Sequence, residues 1–158
     1  MSDNRAFEIS TQEEANEALE YFNGFHDGFV KRILILSHDH IDEDFSQTCS
    51  GLFDIEIDFA HFNYPPGGQR PFNQLVQARF FMVQDLFWDF QEGYLGNTII
   101  TLAIHPVNRR MGGSTTVEQA LALHLGRNFY FEHYRRYEYR EAQIFTFTKA
   151  SFRETAVG

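Results

Sequence analysis

The chain has 158 residues, 43% hydrophobic and 22% charged, which fits one globular domain able to bury a core and excludes a disordered tail. Its formal net charge of −9 argues against a nucleic-acid binder, since neutralising phosphates demands excess Lys and Arg, and no run approaches the ~20 apolar residues of a membrane helix. The opening MSDNRAFEISTQEE lacks an apolar leader core and the single cysteine, Cys49, offers neither a disulfide nor a zinc knuckle, so the sequence reads as cytoplasmic.

In chain order, Ser10 and Glu13 have the spacing of a capping box. They predict a helix running to about Asn23, with Ala15, Ala18, Leu19 and Phe22 on its buried stripe and Gly24 as its stop. His26 and Asp27 then fall between Gly24 and Gly28, in a turn where each glycine is expected to take a positive φ. FVKRILIL, residues 29–36, is rich in β-branched residues and reads as a strand. It should pair, through a polar loop at about residues 38–51, with LFDIEIDFAHF, where Phe53, Ile55, Ile57 and Phe59 alternate with Asp54, Glu56 and Asp58.

YPPGGQRP, residues 64–71, carries three of the four prolines and predicts a long loop. LVQARFFMVQDLFWDF, residues 75–90, fits either helix or strand, and its aromatic and β-branched content tilts it to strand. NTIITLAIHP reads as a strand ended by Pro106. Thr115 and Glu118 suggest a second capping box, hence a second helix through ALALHL to Gly126. FYFEHYRRYEYR and AQIFTFTKASF then predict a hairpin turning near Glu141. The sum is a single α+β domain over residues 1–158, mainly antiparallel sheet of about six strands with two helices. Eighteen phenylalanines, seven tyrosines and one tryptophan suit a thick sheet core, a partly open barrel, or the lining of a cavity for a small apolar ligand.

Charge is uneven along the chain. Residues 1–63 carry 14 Asp and Glu against 3 Lys and Arg, whereas the remainder is close to balanced. An acidic half of this kind would attract a basic protein partner, and Asp54, Glu56 and Asp58 are its candidate contact residues. A second candidate surface is HYRRYEYR, where alternation puts Arg135, Tyr137 and Tyr139 on one strand face. Arg127, Arg109 and Arg110 would extend it into a local basic patch. The same alternation fits a cross-strand ladder of Arg, Tyr and Glu, which is the ordinary use of such a pattern.

The remaining motif is SHDHIDED, directly after ILIL. His38, His40 and Asp42 resemble the H-x-H-x-D-H metal loop of the metallo-β-lactamase superfamily over about seven residues, with Glu43 where that loop has its last histidine. The resemblance implies a metal-dependent hydrolase with zinc as cofactor; a further ligand would have to come from far along the chain, and His105, at the end of its strand, is the candidate by position. The competing reading, adopted here, needs no cofactor: Asp and His are common in exposed turns, where they bond nearby amides. The adjacent His26-Asp27 pair is similar to that of the HD-domain hydrolases, but those are all-helical. Finally, YFNGFHDGFVKRI followed by FDIEIDF resembles small bacterial proteins, some similar to immunity proteins of polymorphic toxin systems. The likeness covers roughly residues 19–60, carries no catalytic motif and implies a small binding or regulatory protein.

Overall fold

A computed structural model describes residues 5–63, 72–87, 99–111 and 114–155, without the side chains of residues 62–63, 72–74, 129–132 and 137. The predicted loop at 64–71 and the end of the predicted strand at 88–90 lie outside the described residues. Ten strands and one α-helix are described.

The chain opens with strand β1 (Ala6–Ile9) and helix α1 (Gln12–Tyr21). The capping box is real but sits one residue later than expected. Thr11 accepts the amide of Glu14 at 3.2 Å, while Glu14 Oε2 accepts the amides of Ser10 and Thr11 at 2.6 and 3.1 Å. Those bonds hold the Glu14 carboxyl below its ordinary pKa, the Ser10 amide acting most strongly. Ala15, Ala18 and Phe22 bury the predicted stripe.

Beyond the helix, β2 (Phe29–Ser37) pairs with β5 (Phe53–Asn63) as its pattern predicts. Between them the polar loop contains a short hairpin, β3 (His40–Ile41) and β4 (Gln47–Thr48). Strand β6 (Phe72–Val83) follows, then β7 (Thr101–Arg110), β8 (Val117–Phe131), β9 (Arg136–Phe147) and β10 (Lys149–Thr155). All pairings are antiparallel, in a five-stranded sheet β1-β10-β6-β5-β2 and a three-stranded sheet β7-β8-β9. Both sheets are open, so the fold is α+β without a closed barrel.

The sheets are stitched at a corner. Gln84 and Thr146 exchange backbone hydrogen bonds at 3.0 and 2.9 Å, and only Thr148 separates β9 in one sheet from β10 in the other. Between the sheets Phe80 meets Phe145 and Phe147 edge-on at 4.9 and 5.0 Å, and Phe22 and Phe25 from the helix end join Phe152 and Phe59.

Three expectations are corrected. The second helix does not form: residues 117–131 are β8, the central strand of its sheet, with Leu121, Ala122, Leu123 and Leu125 all buried. A strand covered on both faces reads as a nearly continuous apolar run, and pairing on both sides overrides the helix preference of Ala and Leu. Pro106 does not end β7, because β7 is an edge strand and an edge tolerates a missing donor. The last hairpin turns at residues 132–135 and not near Glu141, which lies inside β9.

Candidate functional site

The loop leaving β2 is built by its acids. Pairing continues one step beyond Ser37, where His38 donates its amide to the Leu52 carbonyl at 2.9 Å. Asp39 Oδ1 then accepts the Ser50 amide at 2.7 Å and the Gly51 amide at 3.4 Å, closing the neck of the hairpin. At its tip the Asp42 amide donates to the Ser46 carbonyl at 2.8 Å and the Phe45 amide to the Asp42 carbonyl at 2.9 Å. Asp44 Oδ1 accepts both the amide and the hydroxyl of Ser46, and Asp42 Oδ2 accepts the hydroxyls of Ser46 and Thr48. These bonds favour the ionised acids: the Ser50 amide foremost holds Asp39 below the usual carboxylate range, and the Ser46 hydroxyl does the same for Asp44.

The consequence is a turn that presents its apolar residues outward. Phe45 has φ +65° and is 89% exposed, and Ile41 is 68% exposed. Asp39, Asp42, Glu43 and Asp44 neighbour them in sequence, with no Lys or Arg between residues 33 and 52. Exposed Cys49 lies in the same loop.

The predicted metal ligands are not brought together. His38 Nε2 lies 2.9 Å from Asp54 Oδ1, on β5, whereas His40 Nε2 lies 3.2 Å from Asp42 Oδ1, within the hairpin. His105 belongs to the other sheet, where its ring meets that of His124 at 4.9 Å and both approach Glu141 Oε1, at 3.9 and 4.0 Å. There the His124 imidazole is pushed below its ordinary pKa by burial and then by the His105 charge, against the pull of Glu141. Among the described residues no group of three or more His, Cys, Asp or Glu is arranged to hold a metal ion.

The acidic stripe of β5 is an ion-pair ladder. Arg32 of β2 reaches Asp58 at 2.7 Å and Glu56 at 3.3 Å, Arg79 of β6 reaches Glu56 at 3.1 Å, and His38 closes the row on Asp54. The stripe thus joins three strands across their wet face.

The basic patch does not assemble. Arg109 and Arg127 are buried, Arg109 on Glu118 at 2.7 Å. Arg135 sits at φ +47° in the turn before β9, off the strand face assigned to it. The side chain of Tyr137 lies outside the described residues, and Tyr139 lays its ring over Gly126 on the neighbouring strand. On the opposite face of β9, Arg136 and Arg140 flank Glu138 at 3.8 and 3.4 Å along the strand itself.

The His26-Asp27 turn is structural. His26 Nδ1 bonds the Ile100 carbonyl at 2.8 Å and the Asp27 amide donates to the Ile99 carbonyl at 3.0 Å, fastening the turn to the two residues that lead into β7. The aromatic rings pack into the core, and a groove of about 580 Å³ is lined instead by Ser10, Gln12, Asn108 and Gln119 together with small aliphatic residues such as Val107 and Ala120.

Sequence reasoning singled out the acids and histidines of the 38–48 loop and missed Ile41 and Phe45. The available signal was two large apolar side chains inside an otherwise polar tract.

No family model, no curated protein and no solved structure matches this chain.

Proposed function

We propose that this chain is a small protein-binding or regulatory domain that engages a basic partner through the acidic β3–β4 hairpin, with Phe45 as its anchor. The observation that carries this reading is Phe45 itself: a phenylalanine 89% exposed, at a backbone angle non-glycine residues rarely adopt, on a turn fixed by its neighbours' carboxylates. Aromatic anchors dominate interface energetics when they enter a partner's pocket, and a turn already held in shape loses little entropy on binding. The run of acids would steer a cationic surface and set orientation.

This reading agrees with what the resemblance of residues 19–60 to immunity-type proteins implies. No observation favours the hydrolase reading, because the imidazoles of His38 and His40 address different carboxylates. The groove of about 580 Å³ beside α1 has no aromatic residue in its lining and lends the small-ligand carrier no support.

The test is affinity capture with the wild type, Phe45→Ala and a neutral Asp42→Asn/Glu43→Gln/Asp44→Asn variant, at low and high salt. A basic partner should be retained by the wild type, weakened by salt and by the neutral variant, and lost with Phe45→Ala. Binding indifferent to all three changes would overturn the proposal.

A further inference from the structure

The two outer strands of the five-stranded sheet are β1 and β2, and β2 is the more exposed of them. Its nine residues make an edge about 30 Å long. Natural edges are blunted by charge, proline or cover, because their outward amides and carbonyls otherwise recruit another strand. Here the second half of β2 has none of these: Leu34, Ile35 and Leu36 are 38%, 47% and 44% exposed, and among the described residues β5 is the sole strand paired with β2.

The register identifies which backbone groups are free. His38 and Leu52 form a hydrogen-bonded pair. Such pairs alternate in an antiparallel ladder, so Leu36/Asp54 and Leu34/Glu56 are hydrogen-bonded pairs as well. It follows that Ile33, Ile35 and Ser37 turn their N–H and C=O groups outward.

We propose that β2 pairs antiparallel with β2 of a second copy, on a two-fold axis through Ile35, joining the five-stranded sheets of two protomers edge to edge. In that register Ile35 meets Ile35, Ile33 meets Ser37, and their outward backbone groups bond in pairs. Leu34 faces Leu36 on the wet face, at the closer, non-hydrogen-bonded spacing. Beyond the regular stretch, exposed Lys31, at the bulge of β2, falls at the end where Asp39 leaves the other copy's strand. Moving the axis by one residue breaks this match: at Leu34 it sets Leu36 against Arg32, and at Leu36 it sets Leu34 against His38. The charge pattern favours the same arrangement, since the first half of β2 carries exposed Lys31 and the strand runs out into Asp39, Asp42, Glu43 and Asp44. An antiparallel copy lays each basic start on an acidic exit, which a parallel copy would not. Phe45 itself takes no part in this pairing, so Phe45→Ala should abolish partner capture and leave the dimer intact.

Sedimentation velocity from micromolar to millimolar protein tests this on the full chain, with circular dichroism to confirm folding of each variant. The wild type should show a concentration-dependent dimer. Lys31→Glu should raise its dissociation constant about tenfold, because the two-fold axis repeats each lost contact. Leu36→Lys should do the same or more, and Ile35→Pro, which removes an outward donor that β5 does not use, should leave a folded monomer. A wild type monomeric throughout the range, or a dimer unmoved by all three variants, would overturn the inference.

Discussion

Gly28 stands so close to the backbone of β5 that a Cβ on it would lie 2.8 Å from the Ala60 carbonyl oxygen and 2.9 Å from that of Phe25. The glycine is therefore required for space, and not for the positive φ that the Gly24–Gly28 spacing suggested. The left-handed conformations in this turn fall on Asn23, Gly24, Phe25 and Asp27. Gly28 also accepts the Ile99 amide at 2.8 Å, so any shift that relieves the clash pulls on the tie between the two sheets. Gly28→Ala should lower stability by on the order of 2 kcal/mol, as overpacking against rigid backbone does. Gly24→Ala, with φ +60° but its nearest neighbour at 3.8 Å, should cost only about 1 kcal/mol. Urea unfolding of the two variants checks the order, and equal losses would show that Gly28 is not sterically confined.

Arg109 and Glu118 make an unequal pair. The arginine side chain is 2% exposed and the glutamate 30%, with 2.7 Å between Nε and Oε1. Arg109 also donates to the Thr146 hydroxyl at 3.1 Å, while its Nη2 has no partner. Removing the acid strands a buried cation, whereas removing the cation leaves a carboxylate that water can reach. Glu118→Ala should thus destabilise by about 3 kcal/mol, and Arg109→Met, which keeps the volume, by about 1 kcal/mol or less. Thermal unfolding of both separates this account from a simple loss of one contact, which would make the two variants equal.

The parts of the fold that were legible in the sequence were those with a local period. Phe53, Ile55, Ile57 and Phe59 announced β5, because a strand with one dry face alternates, and the β-branched content of FVKRILIL announced its partner. Strand β8 was misread because a central strand has two dry faces and Ala-Leu repeats also suit a helix. Strand β1 was missed because four residues paired only by the distant β10 carry no period of their own. The same locality limits the site. Asp39 and Asp44 were legible as acids that bond nearby amides, since their partners lie within twelve residues, whereas the Asp42 side chain takes the hydroxyls of Ser46 and Thr48. That Leu34, Ile35 and Leu36 stay uncovered depends on β2 lying at the sheet edge, a property of strand order that no stretch of sequence states.

His61 supplies a stability dependence on pH. It is 2% exposed, packed edge-on to Phe22 at 5.7 Å and tilted against Phe25 at 5.2 Å, and its Nδ1 has no partner. Burial pushes its pKa from the ordinary 6.5 down to about 4. Between those values the unfolded chain binds a proton that the folded chain refuses. Stability is therefore full above about pH 6.5, falls as the pH drops toward 4, and is lost from this source by at most about 3 kcal/mol. Denaturant unfolding at pH 7 and pH 5 should differ by on the order of 2 kcal/mol in the wild type, and by much less in His61→Phe. The acids of the hairpin do not share this window, because Asp39 and Asp44 have folded values below their ordinary 3.8. A pH slope that survives in His61→Phe would assign the effect to other groups.

The hairpin itself yields the last prediction, one that separates order at its tip from the anchor it displays. Asp44 binds the Ser46 amide at 3.0 Å and its hydroxyl at 2.6 Å, contacts an asparagine can keep through its carbonyl oxygen and an alanine cannot. Asp44→Ala should leave the global unfolding midpoint nearly unchanged, since the tip is exposed and stands apart from the core. It should nonetheless speed hydrogen exchange at the Phe45 and Ser46 amides several-fold, and Asp44→Asn should restore much of the protection. Because the turn depends on ionised carboxylates whose pKa values are depressed, its order is complete at neutral pH and decays only as the pH falls below the ordinary carboxylate range. If Phe45 acts as a preorganised anchor, Asp44→Ala should weaken partner binding although Phe45 is intact, and the loss should exceed that of Asp44→Asn. Equal protection in the wild type and Asp44→Ala would show that the carboxylate does not hold the turn, and the anchor would then have to be ordered by the partner itself.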